Sequence, residues 1–122
     1  MSDFFPQRPS ASPKIYAYTL DYEDHKGLLK IGDTYREVSV RVGEQTNTAM
    51  VKKRILLEES AMRNDGTSFR DYDVHRLLKK KFVCVGGEWY KCGVDDVRQA
   101  IQAVRERRET LTARIRDFRY AS

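Results

Sequence analysis

Hydrophobic and polar positions alternate first in a strand-like and then in a helical rhythm. Residues 14–20, Lys-Ile-Tyr-Ala-Tyr-Thr-Leu, are rich in β-branched and aromatic side chains and predict a strand. A charged turn closes at Gly27, and Leu28-Leu29-Lys30-Ile31 predicts a second strand stopped by Gly32-Asp33. Two short strands joined by a turn of about seven residues predict an antiparallel hairpin with a long loop. Beyond Thr34 the period changes: Val38, Arg41, Val42 and Gln45 share one side of a helix. Residues 52–59 hold Ile55-Leu56-Leu57 between charged flanks and predict a third strand, followed by a turn at Asn64-Asp65-Gly66-Thr67. Residues 71–80 predict a helix burying Val74, Leu77 and Leu78. Residues 82–85 and 88–91 predict two short extended pieces around Gly86-Gly87. From Asp95 onward Val97, Ile101, Val104, Leu111, Ile115 and Phe118 predict one long helix, its stripe interrupted at Arg108.

Composition narrows the function classes. A chain of 122 residues fits one domain with a single core. Its net charge of +5 and pI near 9.3 favour an anionic partner such as nucleic acid. No apolar run approaches the roughly 20 residues needed to span a bilayer. Residues 1–13 are polar and rich in Pro and Ser, which predicts a flexible leader without an export signal and a cytoplasmic protein with no membrane partner. Cys84 and Cys92 then read as reduced thiols, and with only His25 and His75 to join them their spacing matches no zinc pattern. The arginine-rich stretch after Val97 reads as a solvated helix face or as one that tracks phosphates.

Four pieces in order carry a family resemblance. Lys14-Ile15-Tyr16 and Lys30-Ile31-Gly32 resemble the paired tripeptides that name the GIY-YIG nucleases, and residues 39–45 resemble that family's arginine-bearing helix. Residues 71–77 and Gly87-Glu88-Trp89-Tyr90 resemble the helix and the Glu-Trp-aromatic signature of its phage-derived sub-branch. The resemblance implies an α+β domain, a small three-stranded antiparallel sheet flanked by helices, that hydrolyses DNA phosphodiesters with Mg2+ or Mn2+. Attack on phosphorus needs an activated water, a cation on the non-bridging oxygens and a positive group for the developing charge. Magnesium needs few protein ligands, because it keeps several waters and takes the rest from phosphate.

By position the resemblance makes Tyr16 the base or water-positioner and Arg41 the phosphate arginine, with Gln45 one turn later. Asp71 ranks first as metal carboxylate, Glu88 second and Asp73 third, and His75 joins the cleft. Lys30 stands where the broad family has tyrosine. An ammonium is a poor base unless its pKa falls far, so Lys30 suits phosphate binding and leaves base duty to Tyr16 or Tyr18. Tyr18, Gln45, Lys79 and Lys80 complete the expected DNA contacts. The structural alternatives are a strand aromatic at Tyr16, a hydrogen-bonded core histidine at His75, a core Trp89 and a Gly32 kept for strand-end geometry. Residues 61–67, Phe69 and 71–75 also resemble N-terminal domains fused to superfamily-two helicases of restriction-like systems. The implied organisation is a nuclease domain over 14–93, then a basic helix over 94–122 leading into a helicase or ATPase. The rival readings are a DNA-binding module of the same fold without hydrolysis and a docking domain whose long helix recruits a protein.

Overall fold

The hairpin expected at the start of the chain forms the middle of the sheet in the computed structural model, which describes residues 12–46 and 52–108. Strand β1 (Lys14–Leu20) pairs antiparallel with β2 (Leu28–Thr34), joined by the 3-10 turn Glu23–His25. Helix α1 (Val38–Thr46) follows, then β3 (Lys53–Ser60), α2 (Asp71–Lys81), β4 (Cys84–Val85), β5 (Trp89–Lys91) and α3 (Val94–Arg105). The sheet has five strands in the order β3-β1-β2-β5-β4, all neighbours antiparallel. The three-stranded expectation is therefore corrected: the extended pieces either side of Gly86-Gly87 pair with each other and extend the sheet beyond β2. Their hairpin closes through Gly86 and Gly87 at φ 62° and 83°, backbone that glycine adopts without a Cβ penalty.

Alternation along β1 splits the molecule into two cores. Ile15 and Ala17 point to one face with Leu29, Ile31, Leu57 and Tyr90, covered by Val74 and Leu78 of α2 and Val97, Ile101 and Val104 of α3. Tyr16 and Tyr18 point to the other, beneath Val38 and Val42 of α1. A bulge at Leu56 shifts the β1–β3 register, so that Ala17 faces Leu57 while Tyr18 faces Ile55.

Two helices start by the same device. Asp73 Oδ2 accepts from the Arg70 N–H at 3.1 Å, and Asp96 Oδ2 from the Gly93 N–H at 2.8 Å, each satisfying a donor that the first turn leaves open. Asp73 is 8% exposed and its other oxygen accepts from Arg76 at 2.6 Å. It is thus occupied as a cap, which explains its carboxyl without a metal. Asp73→Ala is expected to destabilise the fold by about 1–3 kcal/mol, because it strands the Arg70 N–H and removes the carboxylate 3.9 Å from the mostly buried Arg63 guanidinium. A lower urea midpoint is the outcome to look for.

Three boundary expectations are corrected. Strand β2 runs through Gly32-Asp33 to Thr34, held by pairing of Lys14 with Thr34. Pro13, the expected last residue of the leader, is buried, and its carbonyl accepts from Ala61 N at 2.9 Å. Helix α3 ends at Arg105. Arg107 sits at φ 58°, left-handed backbone held by its Nε donating to Asp65 Oδ2 at 2.8 Å and its Nη2 donating to Thr67 at 3.2 Å. Leu111, Ile115 and Phe118 lie outside the described residues. Among those described, no helix is long and apolar enough to cross a membrane.

Candidate active site

Tyr16, Gly32, Arg41 and Gln45 meet on the α1 face of the sheet. Gly32 lies opposite Tyr16 in the β1–β2 register, and the tyrosine ring rests on its bare Cα. A Cβ on Gly32 would stand 2.5 Å from Tyr16 Cζ and 3.0 Å from Cε1, and closer still to the hydroxyl. Room for a ring, rather than an unusual turn at a strand end, is what the glycine provides. Tyr16 is 1% exposed, and burial pushes its phenol above the ordinary value against the pull of Arg41 and Gln45. The hydroxyl therefore stays protonated at neutral pH and is suited to orienting a water rather than deprotonating it. Arg41 keeps a partly open head, with Nη1 3.5 Å from Glu44, which Arg36 also grips at 2.5 Å and 2.8 Å. Gln45 Oε1 is buried and finds no hydrogen-bond partner among the described residues.

A second group adjoins the first. The Tyr16 and Tyr18 rings stack at 6.2 Å, and the Tyr18 hydroxyl lies beside Lys30. Tyr18 is 2% exposed, so its ring serves packing and its hydroxyl meets Lys30 inside the fold. Burial raises the Tyr18 phenol, opposed by Lys30. Lys30 Nζ is 2.9 Å from Glu88 Oε1. Burial alone would lower the Lys30 ammonium, but Glu88 and the neighbouring tyrosines outweigh it and leave the pKa above its ordinary value. Lys30 is therefore a permanent cation, as phosphate binding requires. Its partner Glu88 is mostly solvated and held below the usual carboxylate range by that ion pair.

The third group stands at the edge of β2 beyond the end of β5. Asp33 Oδ2 accepts from Arg70 Nε and from the Asp71 backbone N–H, both at 2.8 Å. Burial would raise Asp33, but Arg70 and the Asp71 N–H outweigh it and hold the carboxyl below its ordinary value. Asp71, beside it, is pushed up by burial and then by the Asp33 charge. His75 lies 2.8 Å through Nε2 from the Ile31 carbonyl, which can only accept, so Nε2 carries the proton and Nδ1 is left as acceptor. Its ring lies 5.3 Å from that of Tyr90, so the hydrogen-bonded core role weighed for His75 has a counterpart in the fold. His75 lies within electrostatic reach of the carboxyls of both Asp71 and Glu88. Lys79 and Lys80 are exposed in the last turn of α2, roughly 12 Å along the axis from Asp71 at the usual rise. Among the described residues no three His, Cys, Asp or Glu side chains gather as a cation cage.

Asp33 is the site residue that sequence reasoning missed. A carboxylate just after Gly32 reads locally as a strand breaker, and its role exists only once α2 arrives. The pair yields a prediction with a definite sign. A raised folded pKa at Asp71 means that its ionised form is disfavoured by the fold. The cost is absent at low pH, where the group is protonated in both states, and grows as pH climbs past its ordinary value. Asp71→Asn should therefore raise the Tm at pH 7 by up to about 4 °C and leave it little changed near pH 3. Thermal scans at the two pH values check this.

No curated protein and no solved structure matches the chain. A family model does: the T5orf172 domain matches residues 15–105 and so takes in Ile15-Tyr16 of the first tripeptide, the whole of the second, α1, α2, the Glu88-Trp89 hairpin and α3. The match covers most of the polypeptide and every group of side chains gathered above, and the chain belongs to the T5orf172 domain family.

Proposed function

We propose that this domain is a divalent-metal-dependent DNA endonuclease or nicking module of the GIY-YIG kind. The observation that carries the reading is the meeting of Tyr16 and Arg41, remote in sequence, on one sheet face with the permanent cation Lys30 beside them. Arg41 would take the non-bridging oxygens of the scissile phosphate and Lys30 a neighbouring phosphate. The Tyr16 hydroxyl and Gln45 Oε1, which has no hydrogen-bond partner among the described residues, would orient the attacking water. The donor set fits magnesium, which asks for one or two carboxylates. Asp71, whose ionisation Asp33 disfavours, would hold the ion and lose that repulsion, while Glu88 is engaged by Lys30. The ion, when bound, would lower the pKa of its water and shield the developing charge.

A second reading, a DNA-binding module without hydrolysis, is favoured by one observation: the Lys30–Glu88 ion pair fills the position where the family carries tyrosine. A supercoiled-plasmid assay separates the two. Conversion to open circles that needs Mg2+ or Mn2+ and stops with chelator supports the nuclease. Shifted but uncut plasmid with either metal supports the binding module. The likeness to domains fused to superfamily-two helicases extends the proposal to an ATP-driven partner domain in the same gene product. Reading the gene past the codon for Ser122 tests that extension, and an immediate stop codon would end it.

A further inference from the structure

Aromatic rings continue outward from the cleft in an unbroken row. Tyr18 meets Trp89 edge to face at 5.8 Å, Trp89 meets His25 at 4.9 Å, and His25 meets Tyr22 at 6.3 Å. Exposure grows along it: Tyr18 is 2% exposed, Trp89 and His25 are half-buried, and Tyr22 is 42% exposed. The outer two rings belong to the 3-10 turn Glu23–His25 and the residue before it, a turn that buries none of its own residues. Aromatic side chains that served only the core would end inside it; this row ends in solvent. Lys26 follows His25 on the same turn, and Lys30 lies beneath the inner end against Tyr18.

We propose that this row is a stacking track for unpaired bases, so that the DNA presented to Arg41 and Tyr16 carries a single-stranded segment next to the scissile phosphate. The inference rests on reading the cleft as a DNA site and names the form of DNA it takes. Bases in a duplex have both faces covered by their neighbours, and only unpaired bases can lie against exposed rings. Phosphate contacts along the track are few, because Lys26 and Lys30 are interleaved with Asp24, 2.9 Å from His25, and with Glu88. Stacking therefore supplies the preference for bases, while Lys30 and Arg41 in the adjoining cleft supply the salt-dependent phosphate contacts.

Trp89 is the one tryptophan of the chain, so its emission reports the track directly. The full chain is titrated with oligothymidylate, with an abasic strand of equal length and with a blunt duplex, following tryptophan emission and anisotropy together. Oligothymidylate should change the Trp89 emission and bind about tenfold more tightly than the abasic strand. Tyr22→Ala and His25→Ala combined, both outside the core, should remove about tenfold of that preference. Equal affinity for oligothymidylate and the abasic strand, or a double variant that binds as wild type does, overturns the track. If plasmid nicking persists in that case, the nuclease reading stands alone. Absence of binding to any of the three DNAs overturns both.

Discussion

Arg41→Ala is expected to lower plasmid nicking by about 10²–10³-fold, the usual effect of removing one preorganised group aimed at charge that develops in the transition state. The side chain projects from α1 with its head partly in solvent, 3.5 Å from Glu44, and its loss takes one hydrogen-bond partner from the buried Tyr16 hydroxyl, which keeps Gln45. Glu44 retains Arg36, and alanine is the best helix former. Stability should accordingly fall by only about 0.5–1.5 kcal/mol, far less than the expected loss of activity. Arg41→Lys sharpens the test, since it keeps the charge but loses the planar fork that grips two oxygens at once. Intermediate nicking by the lysine variant would assign part of the effect to bidentate geometry. Full activity in Arg41→Ala would remove the guanidinium from the mechanism and sink the proposed site.

Gly32→Ala should be the most damaging single methyl group in the described structure. Its Cβ would lie 2.5 Å from Tyr16 Cζ, inside any tolerated contact, and the ring cannot swing aside because it is sealed under Val38 and Val42. Overpacking of this kind costs about 1–3 kcal/mol. The displaced hydroxyl should leave Arg41, so nicking per folded molecule should drop by at least about a hundredfold, a loss that small misplacements can produce. A double-mutant cycle isolates the cause: in a Tyr16→Ala background the three atoms nearest the methyl group are gone, and its stability cost should disappear. A cost that persists without the ring would mean that backbone freedom, and not the close approach, is what position 32 requires.

The hairpin and α1 were legible because their signals are local. Ile15 and Ala17 alternate with Tyr16 and Tyr18, and Val38, Arg41, Val42 and Gln45 recur at helical spacing, so periodicity alone assigns each side chain its face. The features that escaped depend on partners far along the chain. Gly32-Asp33 looks like a strand terminator until β1 pairs through it and Arg70 arrives to satisfy the carboxylate. The stop of α3 lies in a turn some forty residues earlier, where Asp65 and Thr67 take the Arg107 guanidinium and hold left-handed backbone that the repeat of Val97, Ile101 and Val104 does not announce. Resemblance suggested a three-stranded sheet, although the residues themselves already marked 82–85 and 88–91 as extended; only pairing with β2 showed that they join it. For the candidate site, the sequence named Tyr16 and Arg41 together. It could not foresee that Glu88 would be engaged by Lys30, or that Asp33 would stand beside Asp71.

The unequal sizes of the two cores govern how the molecule loosens on warming. Among the described residues the α2–α3 side buries fourteen side chains in one cluster, while α1 is pinned by only four, two of them tyrosines of β1. Regions with the least buried apolar surface open first, well below the global transition. The helix carrying Arg41 and Gln45 is thus the part that breathes: heat would silence the cleft while the sheet and its opposite face still hold.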